Sequence, residues 1–543
     1  MSASLLWLLG LGPLTLTAVG MAPVATVARQ RIAGTAFAAG PAAAFALALA
    51  LTAAVAVAFH GPLTTGTLGI SGVGLGIYID ALSVIMFALV AFVGLIVILY
   101  SRNYLDGDPG QGRFTRWLCL TLAAVLLLIV SGNLFQFALG WIATSLGLNK
   151  LLLFYPERQA AVLAARKKFL ASRLGDLCLI AAMVLLHQAF GSLDYAVLFA
   201  GAEAMRVGGD IPTAIHAVAV LLVVAALLKS AQFPLHGWLT EVMETPTPVS
   251  ALLHAGVINA GGFLVLRFAD VISLSAPSME VLVIVGGATA LFGSVVMLTQ
   301  TSVKVSLAYS TIAQMGFMML QCGLGAFAAA LLHIVAHSLY KAHAFLSSGS
   351  VIDLARASWS PSPGGKPHPA RMAMIVGLVL AAALVVGTLF GATITAQPGV
   401  FALGAVVMLG LAHLITQAFD ERPSLYVVAR TVALAVVVSL AYFGLQWAVE
   451  HVLAGSLPPV QALRGPLDLV IVALVVLAFA AVTVFQSVLP GKADAPRWQA
   501  IYVHLANGLY VNTLANRLVL RFWPSPPPPT AIVSSTTVSG VPS

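Results

Sequence analysis

Residues 229–263 read KSAQFPLHGWLTEVMETPTPVSALLHAGVINAGGF, and they follow a run from Ala217 to Leu228 in which every residue is apolar. Lys229 therefore ends a greasy helix at a depth where an ammonium costs about 2.5–3.5 kcal/mol or more. Such a group is paired, placed in a wet cavity, or used to move ions. Directly after it, Pro234, Pro246 and Pro248 interrupt helical hydrogen bonding beside charged and imidazole side chains. Broken helices next to buried ionisable residues mark transport sites. Proline in a first turn is also an ordinary helix-start signal, so Pro246 and Pro248 read equally as the opening of the next helix.

The rest of the chain is of the same kind. Of 543 residues, 60% are hydrophobic and only 8% charged, and the mean hydropathy is +1.01. That excludes a soluble globular chain and predicts an all-α polytopic membrane protein. At roughly 20 residues per span it has room for about fifteen transmembrane helices with broken helices among them. The sixth is expected over 169–190, the seventh, broken, over 212–244, and the eighth, continuous, over 248–269. Five regions follow: N-terminal transmembrane helices over 1–77, a translocation core over 78–350, C-terminal transmembrane helices over 351–490, an interfacial or partner-binding segment over 491–523, and a disordered Pro-rich tail over 524–543.

Lys and Arg recur in alternate short loops: Arg29 and Arg31, then Arg102, Arg113 and Arg116, then Arg158, Arg166, Lys167 and Lys168, then Lys304, Arg356, Lys366, Arg371 and Arg422. This places the N-terminus outside and the C-terminus in the cytoplasm. The formal charge of +8 then reflects topology and anionic lipid rather than nucleic acid. Met1 to Ala22 lacks a basic n-region and reads as the first helix, not a cleaved signal. Cys119, Cys178 and Cys322 lie apart, without disulfide or zinc-ligand spacing. No P-loop or GxGxxG context is present, which argues against nucleotide chemistry on this chain.

Further ionisable groups accumulate where they are least expected. In ALLHIVAHSLYKAHAFL, His333, His337 and Lys341 stand at i, i+4 and i+8, on one helix face. His254 lies in the span after Lys229, and Arg173 and Asp176 open the sixth helix in ASRLGD. A plausible ordering is Arg173/Asp176, Lys229, His254, His333, His337 and Lys341, bridged by water, as a proton relay. The residue types suit it. Burial disfavours a charged lysine while a nearby carboxylate favours it, so moving Asp176 relative to Lys229 switches its proton affinity. Histidine accepts at one ring nitrogen while donating at the other. A single intramembrane histidine is as readily a packing residue bonded to a carbonyl, but three ionisable groups on one lipid-bounded face are costly without a purpose. HxxxH is also a metal-binding spacing, yet no carboxylate or thiol completes a ligand set, so no metal is expected. Gly256, Gly261 and Gly262 read as close-packing positions.

The stretch 229–256, the later KVSLAYSTIAQMGFM (304–318) and HIVAHSLYKAHAFLSSGSVI (333–352) together resemble the proton-translocating antiporter-like membrane subunits of respiratory complex I and of multisubunit cation/proton antiporters. The resemblance implies that Lys229, His254, His333, His337 and Lys341 lie on a central hydrophilic axis and that Arg173 and Asp176 form a charged pair. Two departures stand out. That family offers a glutamate after Gly-Trp, where GWIATSLGLNKLLLFY (140–155) has Ile142, and it carries a second broken helix with a lysine, where 371–391 is apolar and unbroken. These departures, with AARKKFLASRLGDLCL (164–179) and LANGLYVNTLANRLVLRFWP (505–524), resemble the DabB-type subunit of bacterial inorganic carbon transporters. That resemblance implies a bacterial inner-membrane subunit, with no cofactor of its own, conducting protons or Na⁺ to energise a DabA-type cytoplasmic zinc partner that hydrates CO2. The alternatives are a complex I-like or antiporter subunit, which Ile142 counts against, and a non-conducting scaffold for a soluble enzyme, which leaves the polar stripe without a purpose.

Overall fold

The computed structural model describes residues 3–22, 34–348, 369–417, 425–459, 465–488 and 495–524. Arg29, Arg31, Arg356, Lys366 and Arg422 of the orientation argument lie outside the described residues, as does the Pro-rich tail beyond Pro524. Helices α1 (Leu11–Met21) and α2 (Gly34–His60) lead into a β-hairpin, β1 (Leu63–Ile70) and β2 (Val73–Ile79). Then come α3 (Ala81–Tyr104), α4 (Gln111–Ile129), α5 (Leu134–Leu152), α6 (Gln159–Phe190), α7 (Tyr195–Gly208) and α8 (Thr213–Lys229). Among the described residues, nine helices are long and apolar enough to cross a membrane, and three shorter apolar helices accompany them. The protein is a multi-pass, all-α membrane protein.

The hairpin corrects the expectation that 1–77 holds only helices. Ile70 pairs with Val73 across a two-residue turn, Ser71–Gly72, and both turn residues have positive φ. That geometry gives the tight turn whose twist matches the strands. Asn133 secures the hairpin from below: its amide donates to the Gly74 carbonyl (3.2 Å) while its side-chain oxygen caps α5 by accepting from the Gln136 N–H (2.8 Å).

The α6 helix begins at Gln159, ten residues before its expected start at 169. Arg166, Lys167 and Lys168 are therefore helical, and Lys167 and Lys168 are buried instead of lying in a basic loop. Arg173 and Asp176 sit in the middle of the helix, not at its opening. The misreading has a simple cause. A run of cations looks like a loop unless tertiary partners neutralise or bury them, and sequence does not display those partners.

Helix α8 ends on Lys229. The break that follows holds a cis Phe233–Pro234 bond and Ala231 at positive φ, and the chain resumes as α9 (Gly237–Glu241). The next span is not continuous over 248–269 as expected. It is α10 (Thr247–Ala255), a 3-10 turn at Val257–Asn259, and α11 (Ala260–Arg267), with the discontinuity at Gly256. Pro246 is the N-cap residue of α10 and Pro248 lies in its first turn, so these two prolines start a helix and only Pro234 lies in the break. Gly261 and Gly262 do act in close approach: a Cβ on Gly261 would strike Ser230 and the Ala226 carbonyl, and one on Gly262 would strike Met318.

The remaining helices are α12 (Ala276–Met297), α13 (Val303–Gly323), α14 (Phe327–Leu346), α15 (Pro369–Leu389), α16 (Pro398–Gln417), α17 (Leu425–Val452) and α18 (Pro466–Val488). Helix α15 is unbroken, as its apolar sequence requires. Two short helices, α19 (Pro496–Ala506) and α20 (Val511–Phe522), end the described chain. They rest on the inner helices. Tyr502 donates to the Thr299 carbonyl (3.3 Å), Gln300 to the Ala506 carbonyl (3.2 Å), and Arg166 to the Trp523 carbonyl (2.6 Å).

One buried ion pair ties the core together. Arg267, the last residue of α11, donates to both carboxylate oxygens of Asp80 at 2.8 and 3.0 Å. Asp80 is also the N-cap of α3, accepting from the Ser83 N–H at 2.8 Å. The Tyr78, Tyr195 and Phe263 rings surround the guanidinium at 5.2–5.8 Å.

Candidate functional site

Two polar clusters lie inside the helix bundle. The first is built on Lys229. As the last residue of α8 it places an ammonium at the negative end of the helix dipole. Its Nζ donates to the Trp141 carbonyl (3.0 Å) and to Ser145 Oγ (3.0 Å), and lies 4.2 Å from the centroid of the Trp141 ring. All three sides of the ammonium thus meet electron density: a carbonyl, a hydroxyl and an aromatic face. Lys168 reaches the same point from α6, donating to the Ser145 carbonyl at 2.8 Å. Arg173 and Asp176 form an ion pair at 2.8 Å on the same helix. Ile142, next to Trp141 on α5, is partly buried and supplies no polar group.

The second cluster is built on α14. His333 bonds through Nδ1 to Gln321 Oε1 (2.9 Å), Lys341 donates to the Leu307 carbonyl (3.2 Å), and neither ring nitrogen of buried His337 has a partner. The His333 and His337 rings are 6.1 Å apart. All three side chains line one cavity of about 540 Å³, walled also by Gln314, Tyr442 and Gln446. A liquid water occupies about 30 Å³, so this space has room for several waters beside the unpartnered His337. His254 joins from α10: its Nδ1 is 3.0 Å from Thr311 Oγ1, its ring stacks on Phe345 at 4.3 Å, and its Nε2 has no partner.

The sequence ordering ran Lys229 directly to His254, and among the described residues no hydrogen bond joins them. Buried hydroxyl and amide groups fill the interval. Ser230 donates to the Ile258 carbonyl (3.3 Å), and Asn259 donates to Ser338 Oγ (2.8 Å) on α14, one residue from His337. The 3-10 turn after Gly256 is what brings Ile258 and Asn259 to this place. Sequence reasoning missed Ser145, Lys168, Asn259 and Ser338, as well as His236, buried in the break with both ring nitrogens unpartnered. The signal for Lys168 was present, since Lys168 lies five residues before Arg173 on a helix that only had to be extended backward.

A third polar group closes the outer end of the first cluster. Lys167 pairs with Glu241 at 2.7 Å and donates to Asn512 Oδ1 at 2.5 Å. Asn512 and Asn516 of α20 donate to Glu241 Oε1 at 2.8 and 2.6 Å. The last described helix is thus locked to the broken one.

This arrangement matches a known class of proteins. Residues 131–361 match the family model for the transmembrane region of NADH:quinone oxidoreductases and Mrp antiporters, and residues 66–115 match that for the N-terminus of complex I chain 5. The chain is 40% identical over 465 residues to the probable inorganic carbon transporter subunit DabB2 of Halothiobacillus neapolitanus, covering 84% of this chain and 82% of that protein. The chain belongs to the DabB family of inorganic carbon transporter subunits. A second DabB, from Hydrogenovibrio crunogenus, is 43% identical over 58% of this chain and 61% of its own length. NADH-quinone oxidoreductase subunit L of Mycobacterium tuberculosis is 39% identical over 52% of this chain and 44% of its own. The fold is that of a chain in the Mrp complex of Dietzia sp. DQ12-45-1b, with a TM-score of 0.64 at 24% identity, over 95% of this chain and 59% of that one. The DabB relatives and the Mrp chain are parts of multisubunit assemblies.

Proposed function

We propose that this DabB-family chain conducts protons across the bacterial inner membrane, N-terminus outside and C-terminus cytoplasmic, to drive accumulation of inorganic carbon. The observation that supports the reading is the set of buried polar groups between the two clusters, Ser230 on the Ile258 carbonyl and Asn259 on Ser338, together with the cavity of about 540 Å³ lined by His333, His337 and Lys341. Lys229 and Lys341 exchange protons, and the histidines pass them between waters. The chain itself performs no covalent chemistry. A DabA-type cytoplasmic zinc protein hydrates CO2, and the gradient makes that step directional. The test is co-expression with such a partner in a host lacking carbonic anhydrase, grown in air, with and without an uncoupler. Growth that survives the uncoupler, or needs no partner, overturns the reading.

Among the described residues no three His, Cys, Asp or Glu side chains converge as a metal site, and zinc is assigned to the partner. Purified alone, the chain is expected to carry no stoichiometric zinc by elemental analysis. About one tightly held ion per chain would reopen the pairing of His333 with His337 as ligands.

If the α14 stripe is one conductor, His337→Ala and Lys341→Ala together lose little more uptake than the worse single change, because a series path is already open at its first gap. Gradient-dependent carbon uptake at matched expression decides it. Independent multiplicative losses would argue for separate roles.

A further inference from the structure

Lys168 has no role in the reading above, yet its side chain is fully enclosed and bound to the residue that holds Lys229. The Lys168 Nζ donates to the Ser145 carbonyl at 2.8 Å, and the Lys229 Nζ donates to Ser145 Oγ at 3.0 Å. Other buried or half-buried cations nearby have acids: Lys167 has Glu241, Arg173 has Asp176 and Arg267 has Asp80. Among the described residues, neither Lys168 nor Lys229 has an ion-pair partner. Asp176, the acid on the same helix as Lys168, is already engaged by Arg173. Two ammonium ions on one residue in a low-dielectric interior repel strongly, and the favourable way out is for one amine to be neutral.

We propose that Lys168 is the proton-exchange partner of Lys229, the two amines that meet at Ser145 sharing a single positive charge, with the Ser145 hydroxyl as relay. The step is a transfer without net charge change: one N–H bond breaks at Lys229 as its proton passes to Ser145 Oγ, the hydroxyl gives up its own proton, one N–H bond forms at Lys168, and the pair carries a single positive charge before and after. This arrangement stands in for a lysine–carboxylate pair by a different principle. A carboxylate attracts the proton of its lysine, whereas a second amine competes for it, so arrival of a proton at one nitrogen expels that of the other. It also explains how helix α5 functions with Ile142 at the acid position, since the exchange partner comes from α6. From Lys168 the adjoining Lys167–Glu241 pair, with Asn512 and Asn516, leads outward.

The inference rests on the conducting role proposed above, and its test has an arm independent of transport. The full chain, labelled with ¹⁵N-lysine and held in lipid nanodiscs, is observed by NMR at neutral pH, with the two Nζ signals assigned from Lys168→Gln and Lys229→Met. The expected result is one ammonium and one amine between them; two ammonium signals overturn the proposal. In the second arm, Lys168→Arg keeps the charge and the donor to Ser145 but cannot release a proton, so gradient-driven uptake by the assembled complex falls about 100-fold. Wild-type uptake in that variant reduces Lys168 to a packing residue and overturns the proposal. If the wild-type complex shows no gradient-driven uptake, the conducting role fails while the spectroscopic arm still decides the shared proton.

Discussion

Lys229→Met leaves the complex assembled and removes gradient-driven carbon accumulation, with an expected loss of about 100-fold or more. Methionine keeps most of the length and apolar volume of the side chain, so the packing beside Trp141 survives. What goes is the nitrogen that donates to the Trp141 carbonyl and to Ser145. Lys229→Ala gives the same loss of transport with an added cavity cost of about 2–5 kcal/mol. The two variants together separate conduction from stability. Growth of a carbonic-anhydrase-deficient host in air measures the first, and recovery of the detergent-extracted complex measures the second. Air growth at the wild-type rate in the methionine variant would remove Lys229 from the pathway. Loss of assembly in both would make it a structural cation.

The second large effect is on stability and concerns the buried Arg267–Asp80 pair. Breaking the Arg267–Asp80 pair by Asp80→Ala or Arg267→Leu strands one buried charge, at a cost of about 3–5 kcal/mol. Asp80→Ala also uncaps α3, adding about 1 kcal/mol. The double variant Asp80→Leu/Arg267→Leu recovers part of the loss, since no uncompensated charge remains. Thermal unfolding in detergent reads all three. Equal and additive losses in the singles and the double would show that the two residues do not act as a pair.

What could be read from the sequence was set by how far a feature depends on its own neighbours. The break after Lys229 was legible because proline acts locally: Pro234 lacks the N–H that a continuing helix would need and follows a lysine at the helix end. The stripe His333, His337, Lys341 was legible because helical spacing alone puts it on one face, and the cavity confirms which face that is. Gly256 was misread because glycine permits both close packing and a break, and only the packing of α10 and α11 around it decides. Lys167 and Lys168 were misread because their burial depends on Glu241 and Ser145, distant in sequence. The Asp80–Arg267 pair was invisible for the same reason, its two members lying 187 residues apart. The β-hairpin was missed because glycine-rich strands flanked by membrane helices carry little periodic signal, although Ser71–Gly72 is a turn dipeptide.

The two clusters differ in a way best put in electrical terms. Around Lys341 the groups border a space of about 540 Å³, whereas the Lys229 ammonium is met directly by protein, at the Trp141 carbonyl and the Ser145 hydroxyl. A proton current through such a path meets its resistance in series. For a chain that conducts as proposed, water in the wide section would take little of the potential drop, and the larger share would fall at the contact with Ser145. In such a chain the narrow end is where the membrane voltage does its work, so changes there would act on the rate of the entire circuit, whereas changes that widen the far cavity would leave it nearly untouched.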